Sequence, residues 1–260
     1  MKYSIFTKPW KTLSAPQLCE KVSGWGFDGV EFPLREGYQV DLQNAEKELP
    51  ALAKTMGEYG LSIMSVASST EENIFAACQA AGVPIIRIMG PWLNKSYLEI
   101  DREFRAYLDT LPPLCEKYGV QVGVQNHNRN FLSATMELKV VLDNYDPKHI
   151  GAIWDAAHSG LNMESASIVL DMIWDKLLLV NLKNAYWKQV NGPEAFQAVF
   201  DTHFTLGRYG MASYTDILKH LKTRGYSGDI CLPAEYSDEP LVEELAPQEL
   251  EYIKNLFDEI

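Results

Sequence analysis

Short apolar runs recur along the chain, and a stretch with helical spacing of apolar residues lies between most of them. The runs are rich in β-branched and aromatic residues and are too short for helices, so they predict strands. Eight strands are predicted in this way, at 3–7, 27–32, 61–67, 85–89, 120–124, 150–154, 177–182 and 229–232.

Helices are predicted from the stretches between the runs, at 14–26, 49–60, 71–82, 97–119, 135–144, 166–174, 214–225 and 247–260. Several of these stretches stop at a glycine, among them those that end at Gly60, Gly82, Gly119 and Gly225. Glycine readily adopts the left-handed backbone that ends many helices. Pro112 and Pro113 interrupt the longest stretch, so we expect it to kink or break there.

The alternation of strands and helices predicts an α/β fold with parallel strands, because each crossover helix must cover a face of the sheet. Eight such units in a chain of 260 residues fit a (β/α)₈ TIM barrel forming a single domain over residues 1–260. An open doubly wound sheet is the alternative. The chain has neither the glycine fingerprint of dinucleotide-binding sheets nor a Walker A sequence, so we expect no nucleotide cofactor.

The net charge and the cysteine content of the chain argue against several classes of function. The chain has 23 Lys and Arg against 35 Asp and Glu, a net charge of −12, which argues against nucleic-acid and anionic-membrane partners. The four cysteines form no CxxC pair, and no apolar run has the length of a membrane span. We expect a cytoplasmic protein, and a homo-oligomer stays open.

Polar residues follow most of the predicted strands, at the end where TIM barrels place their chemistry. Each has a structural explanation when taken alone: Glu31 could pair with Arg87 or Lys8, and Lys183 could neutralise nearby carboxylates. Together they predict one polar site at the barrel mouth. Its members are Glu31, Arg87, Gln125, His127, Asp155, His158, Asn181, Lys183, Trp187 and Glu235.

Three motifs resemble the xylose isomerase-like barrel family, which includes sugar-phosphate isomerases, ketose 3-epimerases and inosose dehydratases. They are Gly26-Phe27-Asp28-Gly29-Val30-Glu31, then Trp154-Asp155-Ala156-Ala157-His158, and Gly207-Arg208-Tyr209-Gly210 followed by Arg224-Gly225-Tyr226-Ser227-Gly228. The resemblance runs nearly end to end. It implies sugar chemistry and a small-molecule carbohydrate as partner.

The resemblance also implies a divalent metal held by side chains of strands five to eight. Here the strand-five Glu is replaced by Gln125 and the strand-seven His by Asn181, while Asp155 and Glu235 are retained. Carboxamide oxygens still bind hard cations, so these side chains could form an all-oxygen site. Mn²⁺ or Mg²⁺ suits such a site better than Zn²⁺, because the imidazole ligand is lost.

We therefore expect an isomerase, epimerase or lyase that removes a proton next to the carbonyl of a sugar, keto-sugar or sugar acid, with a modified or absent metal site. The candidate catalytic residues are Glu235, His127, His158 and Lys183, and the candidate substrate-binding residues are Glu31, Arg87, Trp187 and Arg208. One alternative is a sugar-binding barrel without catalysis. Another is a Schiff-base aldolase that uses Lys183. The absence of a lysine cluster for phosphate favours an unphosphorylated ligand.

Overall fold

The eight apolar runs form the strands of a closed parallel barrel in the computed structural model, which describes residues 1–260. The first strand pairs with the second on one side and with the last on the other, which closes the barrel and rules out the open sheet. The strands are β1 Lys2–Phe6, β2 Gly29–Pro33, β3 Ser62–Ala67, β4 Ile85–Met89, β5 Gln121–Gln125, β6 Ile150–Asp155, β7 Leu177–Asn181 and β10 Asp229–Leu232.

Ten α-helices accompany the strands, and most of them form the outer layer of the barrel. They are α1 Ala15–Gly24, α2 Ala45–Glu58, α3 Glu72–Ala81, α4 Tyr97–Leu108, α5 Pro112–Tyr118, α6 Thr135–Leu142, α7 Ala156–Leu161, α8 Ala166–Ile173, α9 Tyr214–Thr223 and α10 Val242–Glu259. The long predicted helix breaks before Pro112, which starts α5 because its missing N–H is not needed in a first turn. Gly82 and Gly119 have φ of 70° and 64°, the left-handed caps that the sequence predicts.

The predicted start of the last helix at Pro247 is wrong. Helix α10 begins at Val242, and Pro247 lies inside it. A short 3₁₀ turn at Glu239–Leu241 leads directly into the helix. Ala246, just before the proline, is buried. Packing of this first part against the barrel therefore outweighs the hydrogen bond that the proline cannot donate.

The pattern of apolar runs does not predict a β-hairpin inserted between the last two barrel strands. Strands β8 Asn184–Gln189 and β9 Phe200–Thr205 pair antiparallel, with Asn184 opposite Thr205. The base of the hairpin packs on α7 through Ala185 and Phe204. The hairpin therefore forms one wall beside the carboxyl end of β7. None of the helices of the molecule combines the length and apolar composition that a membrane span requires.

Candidate active site

The residues that face the interior of the barrel change from apolar to polar toward the carboxyl ends of the strands. Six buried residues form the inner apolar layer, namely Phe6, Ala67, Ile85, Ile153, Leu179 and Cys231. Residues two positions apart on a strand share a face. The residues two positions after Ile85, Ile153 and Leu179 are Arg87, Asp155 and Asn181, and all three are buried. A polar layer therefore lies above the apolar one, at the carboxyl ends of the strands.

A continuous set of polar contacts crosses one half of this layer. Arg87 Nε donates to Glu31 Oε1 over 2.5 Å, and Ser65 donates to the same oxygen over 3.2 Å. The other arm of Arg87 donates to Gln125 Oε1, and Gln125 Nε2 donates to Asp155 Oδ2 over 2.7 Å. Gln125 therefore links a buried cation to a buried carboxylate.

Lys183 continues this network across the other half. Its Nζ lies 3.5 Å from Asp155 Oδ2, 3.1 Å from Glu235 Oε2 and 3.2 Å from His158 Nε2. Lys8 Nζ binds the second oxygen of Glu235 at 2.5 Å. Three acidic and three basic side chains thus alternate through the network: Glu31, Arg87, Asp155, Lys183, Glu235 and Lys8. Their formal charges sum to zero.

Hydrogen bonds with the backbone hold Asp155 in place, and a backbone turn orients Glu235. Asp155 Oδ1 accepts from the backbone N–H groups of Ala157 and His158, which start α7. The side chain of Asn126 bonds to the backbone of Asp155 on both sides, accepting from its N–H over 2.7 Å and donating to its carbonyl. Ala234 has φ of 51°, a left-handed conformation that non-glycine residues rarely adopt, directly before Glu235. This turn directs Glu235 toward the two lysines.

The charges of this network are fixed by the neighbours of each group. Burial alone lowers the pKa of Lys183, but Asp155 and Glu235 outweigh it and raise the pKa above its usual value. Burial raises the pKa of Glu235, yet Lys183 and Lys8 hold it well below its usual range. Burial likewise lowers the pKa of Arg87, and Glu31 raises it further than burial lowers it. All three groups are therefore charged at neutral pH.

The rings of the two histidines of the site, His127 and His158, contact one another at a tilt of 41°, and both are neutral. Their ring centroids are 4.2 Å apart. Burial, followed by the charge of Lys183, lowers the pKa of His127, and the same two causes place the pKa of His158 well below its usual value. His127 Nδ1 contacts the carbonyl oxygen of Asn128 at 2.9 Å and must donate to it, which leaves Nε2 as the ring atom with the lone pair. His158 Nε2 accepts from Lys183 instead.

A cavity opens above the polar layer. Gln125, Asn181 and Glu235 line it together, and Asp155 lies beneath them with no exposed surface. The cavity is lined by Phe6, Lys8, Glu31, Arg35, Arg87, Met89, Gln125, His127, Asn181, Lys183, Pro233 and Glu235.

The model of the xylose isomerase-like TIM barrel family matches residues 19–256. The chain belongs to this family. No curated protein matches the chain.

Solved structures of similar shape cover nearly the whole chain. The apo form of 3-keto-D-glucoside 4-epimerase YcjR from E. coli has a TM-score of 0.74 and 14% identity, over 98% of this chain and 99% of that one. The IOLI protein with a bound zinc atom has a TM-score of 0.76 and 14% identity, over 100% and 99%. D-Psicose 3-epimerase with D-fructose has a TM-score of 0.69 and 13% identity, over 99% of both chains. At such identities the likeness shows the shared fold.

The four ligand positions implied by the xylose isomerase-like family do not fit a divalent ion in this member. The Gln125 oxygen accepts from Arg87, and both Glu235 oxygens are paired with lysines. Asp155 Oδ2 is bonded to Gln125 and lies beside Lys183. Only Asn181 keeps a buried oxygen without a partner. Nowhere in the chain do three or more His, Cys, Asp or Glu side chains form a group that could hold a metal ion.

Two predicted substrate-binding residues do not join the others. Arg208 is exposed, and its guanidinium stacks on the Tyr252 ring of α10 at 4.6 Å, away from the mouth. Trp187 packs against α7 and donates its indole N–H to the Leu161 carbonyl over 3.0 Å. Both side chains therefore have structural partners. Glu31 and Arg87 do line the cavity, where they form a buried ion pair.

Sequence reasoning missed several residues of the site. Lys8, considered only as a partner of Glu31, instead pairs with Glu235 and lines the cavity. Arg35 lines the cavity from the loop after β2, where its position two residues beyond the strand was the available signal. Phe204 of the hairpin places its ring 4.7 Å from Lys183 Nζ and edge-on to His158. No local signal marks Phe204, because its role depends on how the hairpin packs.

Proposed function

We propose that this protein removes a proton next to the carbonyl group of a sugar, keto-sugar or sugar acid, and that Lys183 supplies the positive charge for the reaction. The observation that carries the proposal is the position of the Lys183 ammonium. It lies between Asp155 and Glu235 in a cavity that a neutral histidine also lines. An enzyme that forms an enediolate needs a base and a fixed positive charge near the developing oxyanion.

His127 is the base in this proposal. Its lowered pKa keeps it unprotonated at neutral pH, and its bond to Asn128 leaves the Nε2 lone pair free. Glu235 is a weak base, because two lysines stabilise its charged form. His158 is almost fully buried and its Nε2 already accepts from Lys183. His127 is therefore the best placed of the candidate bases to take a proton from carbon.

The proton transfer balances without a further reactant. His127 Nε2 takes the proton, the electrons of the C–H bond form the carbon–carbon double bond, and the carbonyl electrons move to oxygen. Lys183 stabilises the resulting oxyanion. In an isomerisation the hydroxyl proton of the deprotonated carbon passes to the oxyanion, a new carbonyl forms at that carbon, and the imidazolium returns its proton to the former carbonyl carbon. In an elimination the oxyanion electrons re-form the carbonyl, the C–O bond of the β-hydroxyl group breaks, and the imidazolium protonates that group, which leaves as water.

The presence of one free base favours these reactions over a two-base epimerisation. Inversion at carbon by two bases needs a second group of matched pKa on the opposite face. Glu235 would have to serve, and its ion pairs hold it charged. The same neighbours argue against a Schiff-base aldolase, because the raised pKa of Lys183 leaves little free amine to attack a carbonyl.

Solvent exchange tests this proposal. The protein is incubated in D₂O with a panel of ketoses, aldoses and keto-sugar acids, and deuterium incorporation next to the carbonyl is followed by NMR. We expect exchange with at least one compound. The variant His127→Asn keeps a donor for the Asn128 carbonyl but lacks Nε2, so exchange should fall by about 10² to 10⁴-fold.

The matched control is His203→Asn, since the His203 ring contacts the Tyr186 ring on the hairpin, with centroids 4.9 Å apart, and does not line the cavity. It should exchange at the rate of the unmodified protein. Binding of a sugar without any exchange would instead support a sugar-binding protein and contradict the proposed reaction.

A further inference from the structure

Arg35 is the one cation of the barrel mouth without an acidic partner. Four cations line the main cavity: Lys8, Arg35, Arg87 and Lys183. Ion pairs with Glu235 or Glu31 hold three of them. The side chain of Arg35 makes neither a hydrogen bond nor an ion pair, although it is half-buried. Burial and the nearby charge of Arg87 lower the pKa of Arg35 by more than the charges of Glu31 and Glu235 raise it, so its charge is only partly compensated.

The charge of the mouth is therefore opposite in sign to that of the protein. The alternating network from Glu31 to Lys8 sums to zero, and Arg35 adds one positive charge. The whole chain carries −12. A positive cavity in an acidic protein attracts small anions locally, while the surface around it does not.

Arg35 joins the main cavity to a second one. Arg35, Arg87 and Met89 line both, and the second cavity has a volume of about 280 Å³. The two guanidinium carbons lie 6.0 Å and 4.8 Å from the Phe6 ring, so both cations pack on one aromatic side chain. Asn130 also lines the second cavity, and its buried Oδ1 has no partner. Arg35 therefore offers a cation for an acid group where the two cavities meet.

We propose that the substrate is a sugar acid whose carboxylate binds Arg35, with the reacting carbonyl toward Lys183 and His127. The placement of the reacting carbonyl rests on the proposed proton transfer, whereas the binding of the carboxylate by Arg35 does not. A guanidinium binds a carboxylate through two parallel hydrogen bonds, which orients the molecule as well as attracting it. The single net positive charge of the mouth matches a carboxylate, whereas a phosphate group carries about −1.5 to −2 at neutral pH.

Calorimetric titration with matched compounds tests the carboxylate. Each set shares one D-ketohexose skeleton (fructose, psicose, sorbose or tagatose) and differs at carbon 1: the free ketose, the 2-keto-hexonate and the ketose 1-phosphate. We expect at least one 2-keto-hexonate to bind ten or more times tighter than its ketose. Arg35→Gln should remove that preference by weakening acid binding more than ketose binding, and Arg35→Lys should restore part of it.

Arg102→Gln is the control for loss of one surface arginine charge, because Arg102 is exposed on α4 and has no ion pair. It should keep the full preference. Equal binding of ketose and acid, equal loss of both in Arg35→Gln, tighter binding of the phosphate, or no binding in any set would each overturn the assignment.

Exchange in D₂O, measured on the same compounds, separates this assignment from the proposed reaction. Acid binding that depends on Arg35 but shows no exchange would contradict the reaction and support the carboxylate site. Exchange of free ketoses with no preference for the acids would support the reaction and overturn the carboxylate site.

Discussion

Gln125 donates its side-chain amide to Asp155 Oδ2 over 2.7 Å and accepts from Arg87 through its oxygen. A neutral side chain therefore sits between a buried cation and a buried carboxylate. The carboxylate that the family resemblance implies at this position would add a negative charge to a network whose formal charges already sum to zero. Gln125 in place of that carboxylate and the ammonium of Lys183 together give a site whose charges are neutralised by its own side chains.

Removal of the Lys183 ammonium should create affinity for a divalent cation. In Lys183→Met the carboxylates of Asp155 and Glu235 lose their shared cation, and Asn181 adds an unpaired oxygen beside them. Hard cations bind such oxygen sets. We expect Lys183→Met to bind Mn²⁺ at least tenfold tighter than the unmodified protein in calorimetric titration. Lys11→Met, which removes a lysine outside the polar network, should leave Mn²⁺ affinity unchanged; equal affinities for all three proteins would contradict the role given to Lys183.

The rate of solvent exchange should follow the titration of His127 on the acid side. His127 must be unprotonated to act as base, and burial and Lys183 lower its pKa below the usual 6.5. The rate therefore rises with pH, reaches half its plateau below pH 6.5, and stays level until Lys183 loses its proton above pH 10.5. A pH profile of kcat/KM measures this. An acid limb centred above pH 7 would show that another group is the base.

The buried pair of Arg87 and Glu31 should contribute strongly to stability when only one partner is removed. Arg87→Met leaves Glu31, with 0% of its surface exposed, without its cation. The loss of unfolding free energy should be about 3–5 kcal/mol in urea titration, and Glu31→Gln in the same chain should recover part of it. The control is Arg105→Met on α4, whose partner Asp101 lies one turn away and partly exposed. That change should cost about 0.5 kcal/mol or less; similar losses in both variants would contradict the prediction.

Glu249 should make the protein less stable as the pH rises. It is buried on α10 and accepts from the Gly207 N–H over 2.7 Å, and burial raises its pKa from 4.5 to about 7. Between these pH values the unfolded chain releases the proton while the folded chain keeps it. The stability that is fully present below pH 4.5 is therefore reduced by about 3 kcal/mol at pH 7 and above. Glu249→Gln should lack this dependence, so the stability difference between variant and unmodified protein should grow from pH 4.5 to 7; a constant difference would refute it.

Local pattern was sufficient for the barrel and for part of the polar layer. Each strand is a short apolar run. Arg87 lies within its run, and Gln125 and Asp155 directly follow theirs, so all three could be placed at one rim. The local sequence does not determine the direction in which a long side chain points. Lys183 was predicted at the mouth, but its position between two carboxylates depends on β6, β7 and the turn at Ala234 together.

Arg208, the β8–β9 hairpin and Arg35 also depend on contacts that the local sequence does not predict. Motif similarity marked Arg208, yet its guanidinium packs on α10, which comes from the far end of the chain. The β8–β9 hairpin has no apolar run that sets it apart, because only its base is covered and its tip carries exposed apolar residues such as Phe196. That Arg35 lacks an acidic partner becomes visible only when the ion pairs of the neighbouring cations are known.

The most direct measurement is the rate of deuterium exchange by the protein after exhaustive treatment with a chelator. The account assigns the positive charge of the site to Lys183, so the treated protein should exchange at the rate of the untreated one, and added Mn²⁺, Mg²⁺ or Zn²⁺ should not raise it. A treated protein that is inactive until one of these ions is returned would contradict that assignment.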